Sequence, residues 1–120
     1  MGERASIKVT HGDEGHIWLY THWSGDRIVE ITADALSRVQ TAGRMGDPSY
    51  ATRIIFDTLT GCEGGDLGYG IHIGGGEPDS NYDCPEIRWG SDWGKAPTVI
   101  YRGHEMDVDS FISASAVLTH

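Results

Sequence analysis

Ile17-Trp18-Leu19-Tyr20-Thr21-His22-Trp23 is the densest aromatic run in the chain, and its alternation decides the fold. Ile17, Leu19, Thr21 and Trp23 share one parity; His16, Trp18, Tyr20 and His22 share the other. Successive side chains of a strand point to opposite faces, so this stretch is a strand with something to bury on both sides. Upstream, Ala5, Ile7 and Val9 alternate with Ser6, Lys8 and Thr10, a second half-buried strand. The loop His11-Gly12-Asp13-Glu14-Gly15 has the length and the glycines to join the two as a hairpin. Ile7 and Val9 match the face of Ile17, Leu19 and Trp23, which is assigned to the core. The face of Trp18, Tyr20 and His22 is aromatic and amphipathic, unusual for a surface that meets only water.

Ser24-Gly25-Asp26 ends the strand. Thr32 reads as a helix N-cap, with Ile31 before it and Leu36 at the spacing of a hydrophobic staple. Ala35, Leu36 and Val39 form the inward stripe, and Gly43 is placed to end the helix. Asp47-Pro48 opens a second helix as cap and first helical residue, and Gly61 stops it. Tyr50, Ala51, Ile54, Ile55 and Leu59 make its apolar face. Beyond lies a glycine-rich stretch from Gly61 to Gly76, inside which Tyr69, Ile71 and Ile73 alternate as a strand. Glu86 to Trp89 and Thr98 to Arg102 read as two more strands, and Gly103 and His104 as a turn. A short C-terminal helix is capped by Asp107 or Asp109 and runs through Phe111, Ile112 and Ala116. The expected architecture is one α+β domain over residues 1–120. Its elements run ββ-αα-βββ-α, an antiparallel sheet of about five strands with the helices mainly on one face.

Charge excludes more than it includes. Eighteen acidic residues against nine basic ones leave a formal net charge of −9. Nucleic-acid affinity comes from Lys and Arg neutralising phosphates, and there is no basic cluster to supply it. The same balance weighs against an anionic membrane surface and permits a basic protein partner. Apolar runs fall far short of the ~20 residues that cross a bilayer, and the N-terminus is short, mixed and alternating, so a soluble cytoplasmic protein is expected. Cys62 and Cys84 are too few for a disulfide framework; they could pair, or stay reduced in a cytosol.

Motifs that would carry chemistry are incomplete. His16 and His22 share a parity, but six residues of strand put them roughly 20 Å apart, too far to share a metal. Cys62, His72, Cys84 and His104 are zinc-type donors without the close Cys-x-x-Cys spacing of a zinc site. Asp79-Ser80-Asn81-Tyr82-Asp83 begins like an EF-hand loop, yet Cys84 and Gly90 stand where glycine and glutamate belong. The glycine-rich stretch lacks a P-loop pattern and leads into a strand, where a phosphate cradle needs a helix N-terminus. Two successive helices suggest a helix-turn-helix, but Ser49, Thr52, Arg53, Asp57 and Thr60 are not a basic recognition face. There is no nucleophile elbow, and no pair of carboxylates stands out for acid–base work. No catalytic residue, metal or cofactor is expected.

Leu19-Tyr20-Thr21-His22-Trp23-Ser24-Gly25, Asp47-Pro48-Ser49-Tyr50 leading into Arg53-Ile54-Ile55-Phe56, and Gly68-Tyr69-Gly70-Ile71 resemble a family of small proteins of actinobacteria and their phages. The resemblance extends to about residue 75 and is looser beyond. It implies a phage or prophage setting and supplies no activity and no catalytic residue to carry over. The expected function is therefore a non-enzymatic protein-interaction module, a phage-encoded accessory protein that binds or inhibits a host or viral protein. Its expected contact face is Trp18, Tyr20 and His22, joined by Trp89, Trp93 and Tyr101, since aromatic residues dominate interfaces. The competing reading has a helix or loop cover that face as a second core layer. Two other functions stay open: a virion or assembly component that self-associates through a sheet edge or the aromatic face, and a small-ligand or metal-dependent enzyme using His22, His72 and the Asp79 to Asp83 loop.

Overall fold

β1 (Ala5–His11) and β2 (His16–Thr21) form the expected hairpin, with Ile7 opposite Leu19 and Val9 opposite Ile17. They belong to a computed structural model that describes residues 2–61, 67–92 and 94–118. Trp23, assigned to the core from its parity, lies beyond the end of β2 and is 50% exposed. The strand alternation stops at Thr21, and with it the constraint that would have turned Trp23 inward.

α1 (Ile28–Thr41) starts a full turn earlier than its expected cap. Thr32 is buried inside it and donates its hydroxyl back to the Ile28 carbonyl at 2.6 Å. A 3-10 turn at Gly25–Arg27 leads straight into the helix. That turn is held by the Gly25 N–H on the Glu3 carbonyl at 2.7 Å. A Cβ at Gly25 would stand 2.5 Å from the Glu3 oxygen, so the approach requires glycine. The far end follows the sequence: Gly43 takes a φ of +70°, and the Arg44 N–H reaches back to the Val39 carbonyl at 3.1 Å, a Schellman closure. α2 (Pro48–Thr60) is capped by Asp47, whose carboxylate accepts from the Tyr50 N–H. Ala51, Ile55 and Leu59 of its apolar face are buried, whereas Tyr50 is 60% exposed under Arg44.

Four further strands complete the sheet: β3 (Tyr69–Ile73), β4 (Glu86–Trp89), β5 (Thr98–Tyr101) and β6 (His104–Asp107). Their spatial order is β3-β2-β1-β4-β5-β6. The sheet is mixed and six-stranded, which corrects the expectation of about five antiparallel strands. β4 lies parallel to β1, with Val9 beside Ile87 and His11 beside Trp89; the other neighbours are antiparallel. β6 escaped the sequence reading because His104-Glu105-Met106-Asp107 has no apolar alternation. Its hairpin rests on Arg102 and Gly103, both with positive φ (52° and 80°), the geometry of a tight two-residue turn. α3 (Val108–Leu118) follows at once, capped by Asp107, which accepts from the Ser110 N–H at 2.7 Å.

The helices contribute Leu36, Val39, Ile55, Leu59 and Phe111 to one core with Ile7, Val9, Leu19, Ile87 and Val99 of the sheet. α1 is central and packs against both α2 and α3. Among the described residues the opposite face of the sheet bears no helix. It is crossed by residues 74–85, which leave the end of β3, pass over β2 and β1, and deliver the chain to the start of β4. Among the described residues no helix is long and apolar enough to cross a membrane.

Candidate functional site

The crossing segment decides the fate of the aromatic face. The Gly75 carbonyl accepts from Trp18 Nε1 at 3.2 Å and lies 2.8 Å from His16 Nε2. Lys8 sits over the Trp18 ring, 5.3 Å from its centroid, and His16 meets the ring edge-on. Trp18 is thereby only 6% exposed. Farther along, the Asn81 side chain accepts from the Arg4 N–H, and the Asn81 N–H donates to the Arg4 carbonyl at 2.8 Å. The Tyr82 hydroxyl donates to the Glu3 carboxylate, and that bond holds the phenol above its usual value. Cys84 Sγ accepts the Ser6 N–H, and burial pushes its thiol up. Of the side chains that mimic an EF-hand start, Asn81 and Tyr82 thus fasten this segment to the entry of β1, and Asp83 pairs with Arg102 at 2.8 Å.

Among the described residues, those expected to form one contact face do not do so. Tyr20 and His22 are half-buried neighbours, with the Tyr20 hydroxyl 3.3 Å from His22 Nδ1. His22 in turn stacks edge-on with Trp23 at 4.3 Å. Trp89 and Tyr101 are corrections: both face the helices and lie in the main core, 2% and 4% exposed. Their parity on β4 and β5 matches Ile87 and Val99, and only the parallel neighbour β1 reveals which parity is inward. Trp89 also donates Nε1 to the Met45 carbonyl at 2.8 Å. Trp93 and Cys62 lie outside the described residues.

Charge on the helix-free face is organised around Glu86. Its carboxylate accepts from the Thr10 hydroxyl at 2.7 Å and from Arg88 at 3.1 Å. Its side chain is 12% exposed. Burial pushes the carboxyl up, but the Thr10 and Arg88 hydrogen bonds and the Lys8 charge outweigh it and hold it below the usual glutamate range. A carboxyl depressed in the folded state contributes stability that is fully present above the unfolded value, about 4.3. That contribution is lost as pH falls through the folded value. Glu86→Gln is therefore expected to flatten the acid limb of the stability–pH profile below about pH 4.5. Urea unfolding at a series of pH values checks this; an unchanged acid slope would refute it.

The recesses offer little chemistry. A polar cleft of about 350 Å³ lies between the start of α1 and the crossing segment, with Asp26, Glu77, Asp83 and Arg102 on its walls. Its arginine is already paired with Asp83. A second recess of about 320 Å³ lies beside β3, lined by Tyr20, Gly70, His72 and Asp79. His72 and Asp79 thus line one recess, and His22 does not line it but lies beside its Tyr20. Among the described residues no three His, Cys, Asp or Glu side chains are grouped to hold a metal.

The feature that sequence reasoning missed is the place of β3 at the edge of the sheet. Ile71 and Ile73 oppose Leu19 and Ile17, so they face the helix side, yet they are 54% and 84% exposed. β3 is an edge strand; Tyr69 at its start packs against the core, whereas Ile71 and Ile73 extend beyond it. Alternation signals the strand, but no local pattern signals that it ends the sheet. The other edge, β6, carries Glu105 and Asp107, the kind of charge that blunts edge-to-edge pairing. β3 carries no Asp, Glu, Lys, Arg or Pro. No protein-family model, curated protein or solved structure matches the chain.

Proposed function

We propose that the chain is a non-enzymatic protein-interaction module that docks a protein along the outer edge of β3. The exposed Ile71 and Ile73 on an unprotected edge strand carry this reading. An edge strand offers a row of main-chain donors and acceptors to an incoming strand, and alternate side chains supply the apolar contact. This moves the docking element away from the Trp18 face, which the crossing segment covers. The recess beside Tyr20 and His72 continues the same edge onto the helix-free side. In the phage setting implied by the motif resemblance, the chain acts as an accessory protein on a host or viral protein, with its net charge of −9 favouring partners of opposite sign at long range.

Ile73→Lys should weaken partner capture at least about tenfold, since charge on an edge strand opposes strand addition and removes an anchor. Val117→Lys is the matched control, because Val117 is also apolar and 78% exposed but lies on α3. Both variants should keep the wild-type thermal midpoint. Affinity capture with the three baits, read by quantitative mass spectrometry, decides the matter. A partner recovered equally by wild type and Ile73→Lys would overturn the docking edge.

A further inference from the structure

The hydrogen-bond phase of β3 restricts what can add to it. The His22 N–H donates to the Gly68 carbonyl, and the Gly74 N–H donates to the His16 carbonyl, both at 2.9 Å. Antiparallel partners alternate between hydrogen-bonded and non-bonded pairs. Residues 68, 70, 72 and 74 therefore turn their main-chain groups towards β2, and Ile71 and Ile73 turn theirs outward. Each outward residue offers one N–H and one C=O, and each carries an exposed apolar side chain on the helix side of the sheet.

We infer that this edge pairs with the same edge of a second copy of the chain, antiparallel about a two-fold axis, with Ile71 opposite Ile73 of the second copy. The inference rests on β3 being the docking edge. A two-fold operation brings odd residues opposite odd ones, so the outward rows meet in phase and four main-chain hydrogen bonds form by the alternation rule. The exposed isoleucines are then stacked as cross-strand pairs, Ile71 on Ile73 and the reverse. Charge selects this edge over the other. Between Gly70 and Gly74 there is no carboxylate and no lysine or arginine, so the one pair of like titratable side chains that self-apposition brings together is His72 with its own copy. The same operation on β6 would bring Glu105 and Asp107 against their own copies. The neutral strand also offers no acidic group to a basic incoming strand, which favours an apolar, self-matching occupant.

The contact is short, at the low end of interface sizes, so the dimer is concentration-dependent. Its salt dependence has a distinctive sign. Each copy carries −9, and their long-range repulsion is screened once the Debye length falls to about 10 Å near 0.1 M salt. Self-association should tighten as salt rises, whereas capture of a basic partner should weaken.

Sedimentation velocity of the full chain over a concentration series, at low and high salt, tests the inference together with amide hydrogen exchange. The expected result is a rise in weight-average mass towards the dimer that is stronger at high salt. Exchange at the Ile71 and Ile73 amides should slow as concentration rises. Ile73→Lys should weaken the dimer at least about tenfold, and Val117→Lys should not. A chain that stays monomeric at every concentration and salt, or a dimer indifferent to Ile73→Lys, overturns the pairing. If a monomeric chain shows Ile71 and Ile73 amides protected only by a captured protein, the second copy is overturned as occupant and the docking edge survives. If neither a second copy nor a captured protein protects those amides, both fail.

Discussion

Trp89→Ala is expected to lower the unfolding free energy by about 3–5 kcal/mol, the range for removing a large buried aromatic side chain. Two effects add at this site. The indole is 2% exposed and meets His11 edge-on at 5.7 Å, so its loss leaves a cavity between β4, β1 and the helices. Its Nε1 also holds the Met45 carbonyl at 2.8 Å, in the connection between α1 and α2. Removing the donor leaves that carbonyl without its partner and frees the helix pair from the end of the sheet. The thermal midpoint should fall by roughly 10–20 °C, measured by calorimetry. Trp89→Phe should recover much of the packing and none of the hydrogen bond, so a variant as stable as wild type would show that the Met45 contact contributes nothing.

Trp18→Ala should cost about 3 kcal/mol, at the low end of the aromatic range, because its ring is capped by a loop and not by a packed helix. The more informative effect is local. Trp18 and His16 converge on one carbonyl, Gly75, and this contact holds the start of the crossing segment against the sheet. Without the indole, limited proteolysis should cut within residues 74–85 faster than in wild type, by more than the global loss of stability explains. Equal acceleration everywhere would mean that the segment is held elsewhere, by its bonds to Arg4 and Glu3. Because Ile73 lies outside this contact, partner capture by Trp18→Ala should persist at temperatures where the variant is folded, which separates the covered face from the docking edge.

Local patterns were legible where local physics decides them. The hairpin, the Asp47-Pro48 helix start, the Gly43 stop and the Asp107 cap are set by neighbours within a few residues, and the structure has them all. Thr32 failed as a cap because a buried turn at Gly25 started the helix first, a contact with Glu3 that the sequence between them does not announce. The parallel pairing of β1 and β4 was illegible for the same reason on a larger scale. Neither strand carries a mark of its neighbour, and without that neighbour Trp89 and Tyr101 could be placed on either face. The docking edge was half legible: Tyr69-Gly70-Ile71-His72-Ile73 reads as a strand, but its edge position is a property of the whole topology.

The central pairing has a consequence for how the chain acquires its structure. Thr10 and Glu86 stand 76 residues apart, so β1 cannot complete its second ladder until most of the protein exists. Contacts of such separation are made late because the loop entropy must be spent before they return anything. During synthesis on a ribosome, the hairpin and the α1–α2 pair can form while one side of β1 stays open. That vacant side is a row of unpaired main-chain donors and acceptors, so the window before residues 86–89 emerge is when this chain is most exposed to pairing with the wrong strand.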